Sequence, residues 1–541
     1  MPTERGLTSS GIPSLRCDKI YIPDIFAFLE QAKEAFMSTS PTNEPSETVF
    51  DLPHQDDVPR LARRGLNSMA LLMAGRYVLL AGTSVMLTRF ISPYEYGLMG
   101  MVATLTVLVQ AFSDFGLSWA TVQHQDLSRE QIDMLWAVSA GFGLLLMILC
   151  MMVSPALARF YGHPELTKLS VACSVVLFLS SVAAQPTALM RRQMHLGQLA
   201  VSGLIALVVS ALVGIAMAWH GYGYWALVAQ MIVSQMVTVA LVFPMSGYWP
   251  RLPRRLAPVG AMLVFGGFSM AFGMVTYISR NLDNVLIGKY WGPIDLGYYT
   301  RAYFLMQLPG MLAIGLYSNI VIPAMSMMHQ REGSMEAVYV LWLRRIALTI
   351  CPIAAGMAGA SNELVGVLYG HSWQPVVPIL LWLSIAGVLQ PIHNTAGWIY
   401  IAGQRGRGML SMGIVVAITS VASFIIGLPQ GPVGVARAYA IMNTLIAYPV
   451  LAMAHRESGL SIGRSLRACM PIVSCAAAMG IIVGLASRAG TAIGVEIHLR
   501  LIAEIFIGIA VYAAFLRIAV RSSYNEIKSF RPWQTALATG S

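Results

Sequence analysis

Four polar residues fall on one face of the helix predicted at 258–288. They are Thr276, Arg280, Asp283 and Asn284. Steps of four, three and one residues place them on the same side of an α-helix. An arginine side chain presents a planar fork of donors that can bind two oxygens of a carboxylate or phosphate. This face therefore predicts a site for an anionic group, with the acid Asp283 restraining Arg280 until that group arrives.

A second predicted helix, 200 residues earlier, repeats the pattern. The equivalent positions are Arg76, Leu80, Thr83 and Ser84, three of which are polar. We expect the two polar faces, each with an arginine, to line a common water-filled interior. The alternative is structural: Arg280 and Asp283 neutralise each other in packing, and Arg76 extends its charged end to the water at the helix end.

The composition places these helices in a membrane. Of 541 residues, 56% are hydrophobic and only 11% are charged, whereas about a quarter are charged in soluble domains. Apolar runs of about 20 residues, enough to cross a hydrocarbon core, recur from Ser68 to Val520. Fourteen spans are predicted, at about 68–88, 98–122, 134–154, 166–188, 198–219, 224–246, 258–288, 298–324, 341–361, 375–399, 409–427, 433–454, 469–486 and 499–520. The predicted fold class is an all-α polytopic membrane protein.

Basic residues are divided unequally between the loops on the two sides. With the N-terminus inside, twenty-one of the 35 Lys and Arg residues flank the spans on the cytoplasmic side. Six lie on the opposite side, namely Arg89, Arg159, Lys168, Lys289, Arg488 and Arg500. Short cytoplasmic loops retain Lys and Arg, so both termini are predicted to be cytoplasmic. This bias explains the net charge of +10 and leaves no reason to expect nucleic-acid binding.

Other ionisable residues inside the spans are further candidates, because buried charges in a membrane usually face a cavity or a partner. Arg301 and Arg437 lie near the outer ends of their spans, where extension to the water is the alternative. Asp114, in the stretch FSDFG, could be a cavity acid or a cation-coupling group, or it could form a packing hydrogen bond. Glu504 and His393 have no visible partner in the sequence and are interpreted as structural.

The chain contains an internal repeat. RFISPYEYG at 89–97 recurs as KYWGPIDLG at 289–297, and LARFYGH at 157–163 resembles VGVLYGH at 365–371. Offsets of 200 and 208 indicate a duplicated unit of six spans, and an even number gives two parallel copies. The predicted domains are a polar cytoplasmic tail (1–65), six-helix lobes at 66–250 and 256–456, a further helix pair (467–521) and a cytoplasmic tail (522–541). For the repeated turns themselves the simplest interpretation is structural, with Pro and Gly shaping the turn.

Several function classes are excluded by what the sequence lacks. None of the five lysines lies in a Gly-x-x-x-x-Gly-Lys nucleotide-binding motif, so transport cannot be driven by hydrolysis within this chain. The six cysteines show no Cys-x-x-Cys spacing, and the predicted outer loops are too short to hold a sugar-acceptor domain. We therefore expect a protein that is not an enzyme and that uses no metal or cofactor.

Several stretches resemble the polysaccharide-biosynthesis flippases. They are NLDNVLIGKYWGPIDLGYYTRAYFLMQLP (281–309), LTRFISPYEYGLMGMVATL (87–105), LYGHSW (368–373) and IAGQ (401–404). The resemblance covers about residues 60–520 and is to the colanic-acid and succinoglycan exporter branch. That superfamily also includes the lipid II flippase and the MATE drug antiporters. Two six-helix lobes and a final helix pair would match the lipid II flippase architecture.

The resemblance implies a function and a site. The implied substrate is an oligosaccharide linked to undecaprenyl diphosphate, carried between the leaflets of the bacterial inner membrane by alternating access. Cationic residues of the first and eighth spans would line the cavity, here Arg76 and Arg301, with Arg280, Asp283 and Asn284 on the seventh span. Membrane lipids, a polysaccharide polymerase and export machinery are the implied partners. The alternatives are a MATE-like cation-coupled multidrug exporter and a membrane scaffold that transports nothing.

The charge distribution predicts the topology directly. Cysteine-labelling reagents that cannot cross the membrane should reach positions 289 and 371 from outside the cell, because both lie in loops predicted to be external. Labelling of these two positions only after the membrane is permeabilised would contradict the predicted orientation.

Overall fold

The computed structural model describes residues 72, 75–113, 118, 121, 127–251, 260–330, 335–403 and 405–519. The predicted tails 1–65 and 522–541 lie outside these residues, as does Asp114. Within the described ranges the regular elements are helices, and no β-strand occurs. The predicted all-α fold class is therefore confirmed.

Sixteen helices are numbered in chain order over the described residues. The first eight are α1 (75–88), α2 (Pro93–Ser113), α3 (Arg129–Tyr161), α4 (Glu165–Arg192), α5 (Leu196–Trp219), α6 (Tyr224–Ser246), α7 (260–291) and α8 (293–330). The others are α9 (Met335–Gly359), α10 (Ser361–Leu368), α11 (Val376–Asn394), α12 (Ala396–Ala402), α13 (Gly406–Gly427), α14 (Gly431–Ser458), α15 (Ile462–Ile493) and α16 (Ile497–Ala519).

The helices have the length and surface of membrane spans. Nine segments of the described chain are long and apolar enough to cross a membrane, with mean hydropathies of 1.5 to 2.5. Large apolar side chains that are 64% to 82% exposed include Ile418, Ile426, Leu445, Ile481, Phe506 and Ile518. An outer surface of this kind is suited to lipid rather than water. The chain is a multi-pass membrane protein, and its helices are compatible with the fourteen predicted crossings.

The two repeated turns are tighter than the sequence predicted. The loop expected between residues 288 and 298 is a single residue, Gly292, where the continuous helical segment Gly260–Gln330 breaks with φ 86°. Glycine adopts this conformation without a steric penalty, and Pro293 can start α8 because the first turn of a helix needs no N–H donor. In the first copy α2 begins at Pro93, and the Glu95 carboxylate accepts hydrogen bonds from Ser92 N and Oγ, both at 2.8 Å.

The two turns pack directly against each other. A Cβ atom added to Gly97 would overlap the carbonyl oxygen of Pro293, and one added to Gly297 would overlap that of Pro93. These four residues are equivalent in pairs under the offset of 200. The absence of side chains at both glycines thus lets α2 and α8 meet backbone to backbone. The end of the bundle that carries residues 89–97 and 289–297 is called the motif end below.

Two basic residues of the turns cross from one repeat to the other at the motif end. Arg89 Nη2 donates to the carbonyl oxygen of Val367, in the last turn of α10. Lys289 Nζ donates to the carbonyl oxygen of Phe160, in the last turn of α3, and lies 4.7 Å from the centre of the Phe160 ring. A cation is favoured at a helix C-terminus, where carbonyl groups lack intrahelical donors. Equivalent residues therefore join the two copies of the repeat at the motif end in two places.

The glycine contact predicts a specific loss of stability. Gly97→Ala and Gly297→Ala should each lower the melting temperature of the purified protein, because the added methyl group separates α2 and α8 at a cost of about 1–3 kcal/mol. Gly413→Ala is the matched control: its site in α13 has open space, and alanine is favoured over glycine in a helix by roughly 0.5–1 kcal/mol. Equal melting temperatures for Gly97→Ala and Gly413→Ala would show that the contact is not needed.

Candidate functional site

A cavity of about 380 Å³ lies among α1, α2, α6, α7 and α8. Helices α1, α2 and α6 form one wall, and α7 and α8 form the other. Its polar lining residues are Thr83, Ser84, Tyr96, Thr104, Gln230, Asn281, Asn284, Thr300 and Arg301. The remaining lining residues are glycine or apolar, and no acid lines the cavity among the described residues. The cavity is thus a cationic pocket rich in amide and hydroxyl groups.

Arg301 is the cationic centre of this pocket. Its Nη1 donates to Ser84 Oγ at 3.1 Å, so the guanidinium of α8 reaches across to α1. The same guanidinium carbon lies 4.4 Å from the centre of the Tyr96 ring and 5.3 Å from that of Phe304. Cation–π contacts of this kind stabilise a partly desolvated guanidinium. Tyr96 and Phe304 therefore fix the orientation of Arg301 and leave its charge in place.

The charge of Arg301 is not neutralised by any carboxylate in the described part of the chain. Its Nε atom is buried and has no hydrogen-bond partner there. A cation inside a membrane protein is unfavourable unless a partner offsets its lost hydration. The arrangement is therefore suited to an anionic ligand with several oxygen acceptors, such as a phosphate group.

Asn284 and Ser84 lie on equivalent sides of the two repeats. They are separated by the offset of 200, and both line the cavity. Thr83, one residue before Ser84, also lines it. The polar face predicted on α1 therefore reaches the cavity at Thr83 and Ser84, and the face predicted on α7 reaches it at Asn284.

Asp283 has a different environment from its neighbour Asn284. Its side chain is 2% exposed and does not line the cavity. One carboxylate oxygen accepts from the hydroxyl of Tyr299 at 2.8 Å, and the other accepts from the backbone N–H of Asn284 at 2.8 Å. Because Tyr299 is on α8, this bond ties α7 to α8 across the break at Gly292. The contact sets how Asn284 and Arg301 face the same cavity.

Arg76, another predicted site arginine, does not line this pocket. Arg76 is exposed and its guanidinium lies beside Gly203 of α5, where an added Cβ would be 3.7 Å from Nη1. Eight residues, or about 12 Å of helix rise, separate it from Ser84. The side chain of Arg280 lies outside the described residues, as does Asp114. The proposed restraint of Arg280 by Asp283 stays a prediction.

Several residues of the site were not found from the sequence, among them Tyr96, Gln230 and Tyr299. Tyr96 belongs to the repeated turn, but nothing in the pattern indicated that its ring faces Arg301. Gln230 lies on α6, an apolar helix without a recognisable polar face. Tyr299 was not linked to Asp283, although its position next to Thr300 and Arg301 is a signal that could have been used.

The chain is similar to proteins of bacterial polysaccharide synthesis and transport. It is 22% identical over 411 residues to the lipopolysaccharide biosynthesis protein WzxC of Escherichia coli (strain K12), covering 73% of this chain and 83% of WzxC. It is 23% identical over 343 residues to the succinoglycan biosynthesis transport protein ExoT of Rhizobium meliloti (strain 1021), covering 63% of this chain and 69% of ExoT.

Solved membrane transporters share the fold. The lipid II flippase MurJ, in its inward closed conformation, superposes with a TM-score of 0.68 at 15% identity, covering 84% of this chain and 99% of that one. An inward-facing multidrug resistance MATE family transporter gives a TM-score of 0.58 at 14% identity. The match covers 71% of this chain and 94% of the transporter. Residues 86–378, more than half of the chain, match the family described as "Polysaccharide biosynthesis protein". The chain therefore belongs to the polysaccharide biosynthesis protein family.

Proposed function

We propose that this protein is a flippase for oligosaccharides linked to a polyprenyl diphosphate. It transfers them from the cytoplasmic to the outer leaflet of the bacterial inner membrane, for exopolysaccharide or lipopolysaccharide synthesis. Family membership and the similarity to WzxC and ExoT support the substrate class. The observation that carries the proposal is Arg301, an arginine that faces a polar cavity and has no carboxylate partner among the described residues.

The pocket suits the head of such a lipid. The guanidinium of Arg301 can bind two phosphate oxygens at once. The amide groups of Asn284 and Gln230 can pair with sugar hydroxyls. A volume of about 380 Å³ lies at the lower end of the range for ligand sites. The pocket therefore takes the diphosphate and the adjoining sugar, and the rest of the oligosaccharide extends away from it.

Transport proceeds by alternating access between the two lobes at 66–250 and 256–456. The motif end faces the outside, and its glycine and basic contacts close the cavity on that side. Substrate enters from the cytoplasmic side, where both chain termini lie. Opening of the motif end then releases the head group outward. An inside-negative membrane potential favours this direction for an anion, by about 2.3 kcal/mol per charge per 100 mV if the whole field is crossed.

The alternatives fit the cavity less well. A MATE-like exporter of cationic drugs would need acids at the site, but none lines the cavity among the described residues, and Asp283 is bonded to Tyr299. A scaffold that transports nothing would not need an uncompensated arginine facing a cavity. The relatives named for biosynthesis and transport support a transporter rather than an enzyme. A polysaccharide polymerase and export machinery remain proposed partners.

Substitution of Arg301 tests the site. Arg301→Ala should reduce polysaccharide export by at least about tenfold, because a hydrogen bond to a charged group contributes roughly 1.5–3 kcal/mol. Arg301→Lys should also reduce export, since lysine keeps the charge but lacks the paired donors of the guanidinium. Export is measured in a deletion strain that expresses each variant, together with protein abundance and the lipid-linked intermediate retained on the inner leaflet.

Arg437→Lys is the matched control for Arg301→Lys. Arg437 is exposed, its guanidinium donates to Gln430 just before α14, and it does not line the cavity. Its replacement should leave export unchanged. Arg76→Ala and Arg280→Ala test the wider cationic face in the same assay. Full export by Arg301→Ala at normal abundance would disprove the proposed role of the cavity.

A further inference from the structure

A second group of buried charges lies outside the cavity, where α10 meets α15 and α16. Glu363, in the first turn of α10, is fully buried. One of its oxygens lies 3.2 Å from Arg500 Nη1, and the other accepts from Ser487 Oγ at 2.8 Å. Arg500 also donates to Thr491 Oγ. Glu363 and Arg500 therefore form a compensated ion pair.

Glu504 adds a second carboxylate to this group without adding a cation. It lies one helical turn after Arg500 on α16 and is 3% exposed. Neither of its oxygens has a hydrogen-bond partner among the described residues. The charged groups that interact electrostatically with Glu504 are Glu363 and Arg500. The thiols of Cys351 and Cys475 are on the neighbouring helices α9 and α15. They interact electrostatically with Tyr512, which lies two helical turns after Glu504.

The charge balance indicates what Glu504 binds. Two ionised carboxylates and one guanidinium would leave an uncompensated negative charge in a buried place, which is strongly unfavourable. A metal cation would need several oxygen ligands at short range. The described residues contain no group of three or more His, Cys, Asp or Glu side chains that could hold a metal ion. A proton neutralises the carboxylate without requiring any further ligand.

The short helix α10 connects this group to the motif end. Gly366 of α10 packs against the side chain of Ile497, at the start of α16. Val367, one turn after Glu363, accepts the hydrogen bond from Arg89 of the other repeat. A change in charge beside Glu363 is thus one helical turn from a contact that closes the cavity.

The structure assigns to Glu504 a proton-binding site, and we infer that proton binding there stabilises the closed motif end. With its proton, Glu504 remains buried as described and Arg500 stays paired with Glu363. Without it, the carboxylate competes for Arg500, and α10 loses the contact that holds it against α16. The proton site depends on the burial of Glu504 and on the pairing of Arg500 with Glu363. Its link to opening rests on the proposed function, in which the motif end faces outside.

The proton site is tested by infrared difference spectroscopy of the full-length protein in lipid nanodiscs. Near neutral pH the wild type should show the C=O stretch of a protonated carboxylic acid. Glu504→Gln should lose this band. Glu496→Gln, at an exposed glutamate in the loop before α16, should keep it.

A second variant leaves Glu504 itself intact. Glu363→Gln frees Arg500 to pair with Glu504, so the band should again be lost near neutral pH. Retention of the band in either Glu504→Gln or Glu363→Gln would overturn the proton site, and so would its absence from the wild type. Loss of the band on adding Na⁺ at constant pH would identify a metal-ion site instead. None of these readouts depends on the transported substrate.

The link to the motif end is tested by labelling in whole cells. Ala103→Cys places a thiol in the cavity, in a background with Cys17→Ser; the other five cysteines are buried. Labelling by an impermeant reagent should rise several-fold as the external pH is raised. With Glu504→Gln it should stay low at every pH, whereas Glu496→Gln should behave as wild type. An unchanged pH response in Glu504→Gln would disprove the link, even if polysaccharide export is normal.

Discussion

The close approach of two glycines to two proline carbonyls is the contact on which the arrangement of the site depends. Because Gly97 and Gly297 have no side chains, α2 and α8 meet at the motif end without a gap. This approach brings Tyr96 of α2 over the guanidinium of Arg301 on α8. Both glycines belong to the repeated turns, so one duplicated sequence supplies both halves of the contact. The cavity below it is consequently shared by the two repeats.

Three charged side chains, Asp283, Glu363 and Arg301, have three different kinds of partner. Asp283 is satisfied by Tyr299 and a backbone N–H, and so serves to position α7 against α8. Glu363 is paired with Arg500. Arg301 is held by aromatic rings and a hydroxyl group but has no carboxylate partner in the described part of the chain. Of these three arrangements, the last leaves a charge for a ligand, and it is the one that faces the cavity.

Family membership and the cavity support the same function from independent directions. Membership rests on the match over residues 86–378, which includes α2 and α8 but ends before the C-terminal helix pair. The pocket chemistry rests on side chains, and it would indicate an anionic ligand even without relatives. The similarity to MurJ and to the MATE transporter establishes the fold alone, since both are below 25% identical.

The sequence by itself determined the membrane class, the approximate helices, the repeat and the resemblance to the flippases, because hydrophobic length and periodicity are local properties of a chain. It also identified Arg301 and Asn284, which line the cavity, since a polar residue in an apolar span is visible without a structure. Only the tertiary structure decided their partners. Tyr299 donates a hydrogen bond to Asp283 across the helix break at Gly292. Glu504 lies near Glu363 although the two are 141 positions apart in the sequence. Such contacts depend on how separate helices pack, and helix packing is set by the shapes of both surfaces together.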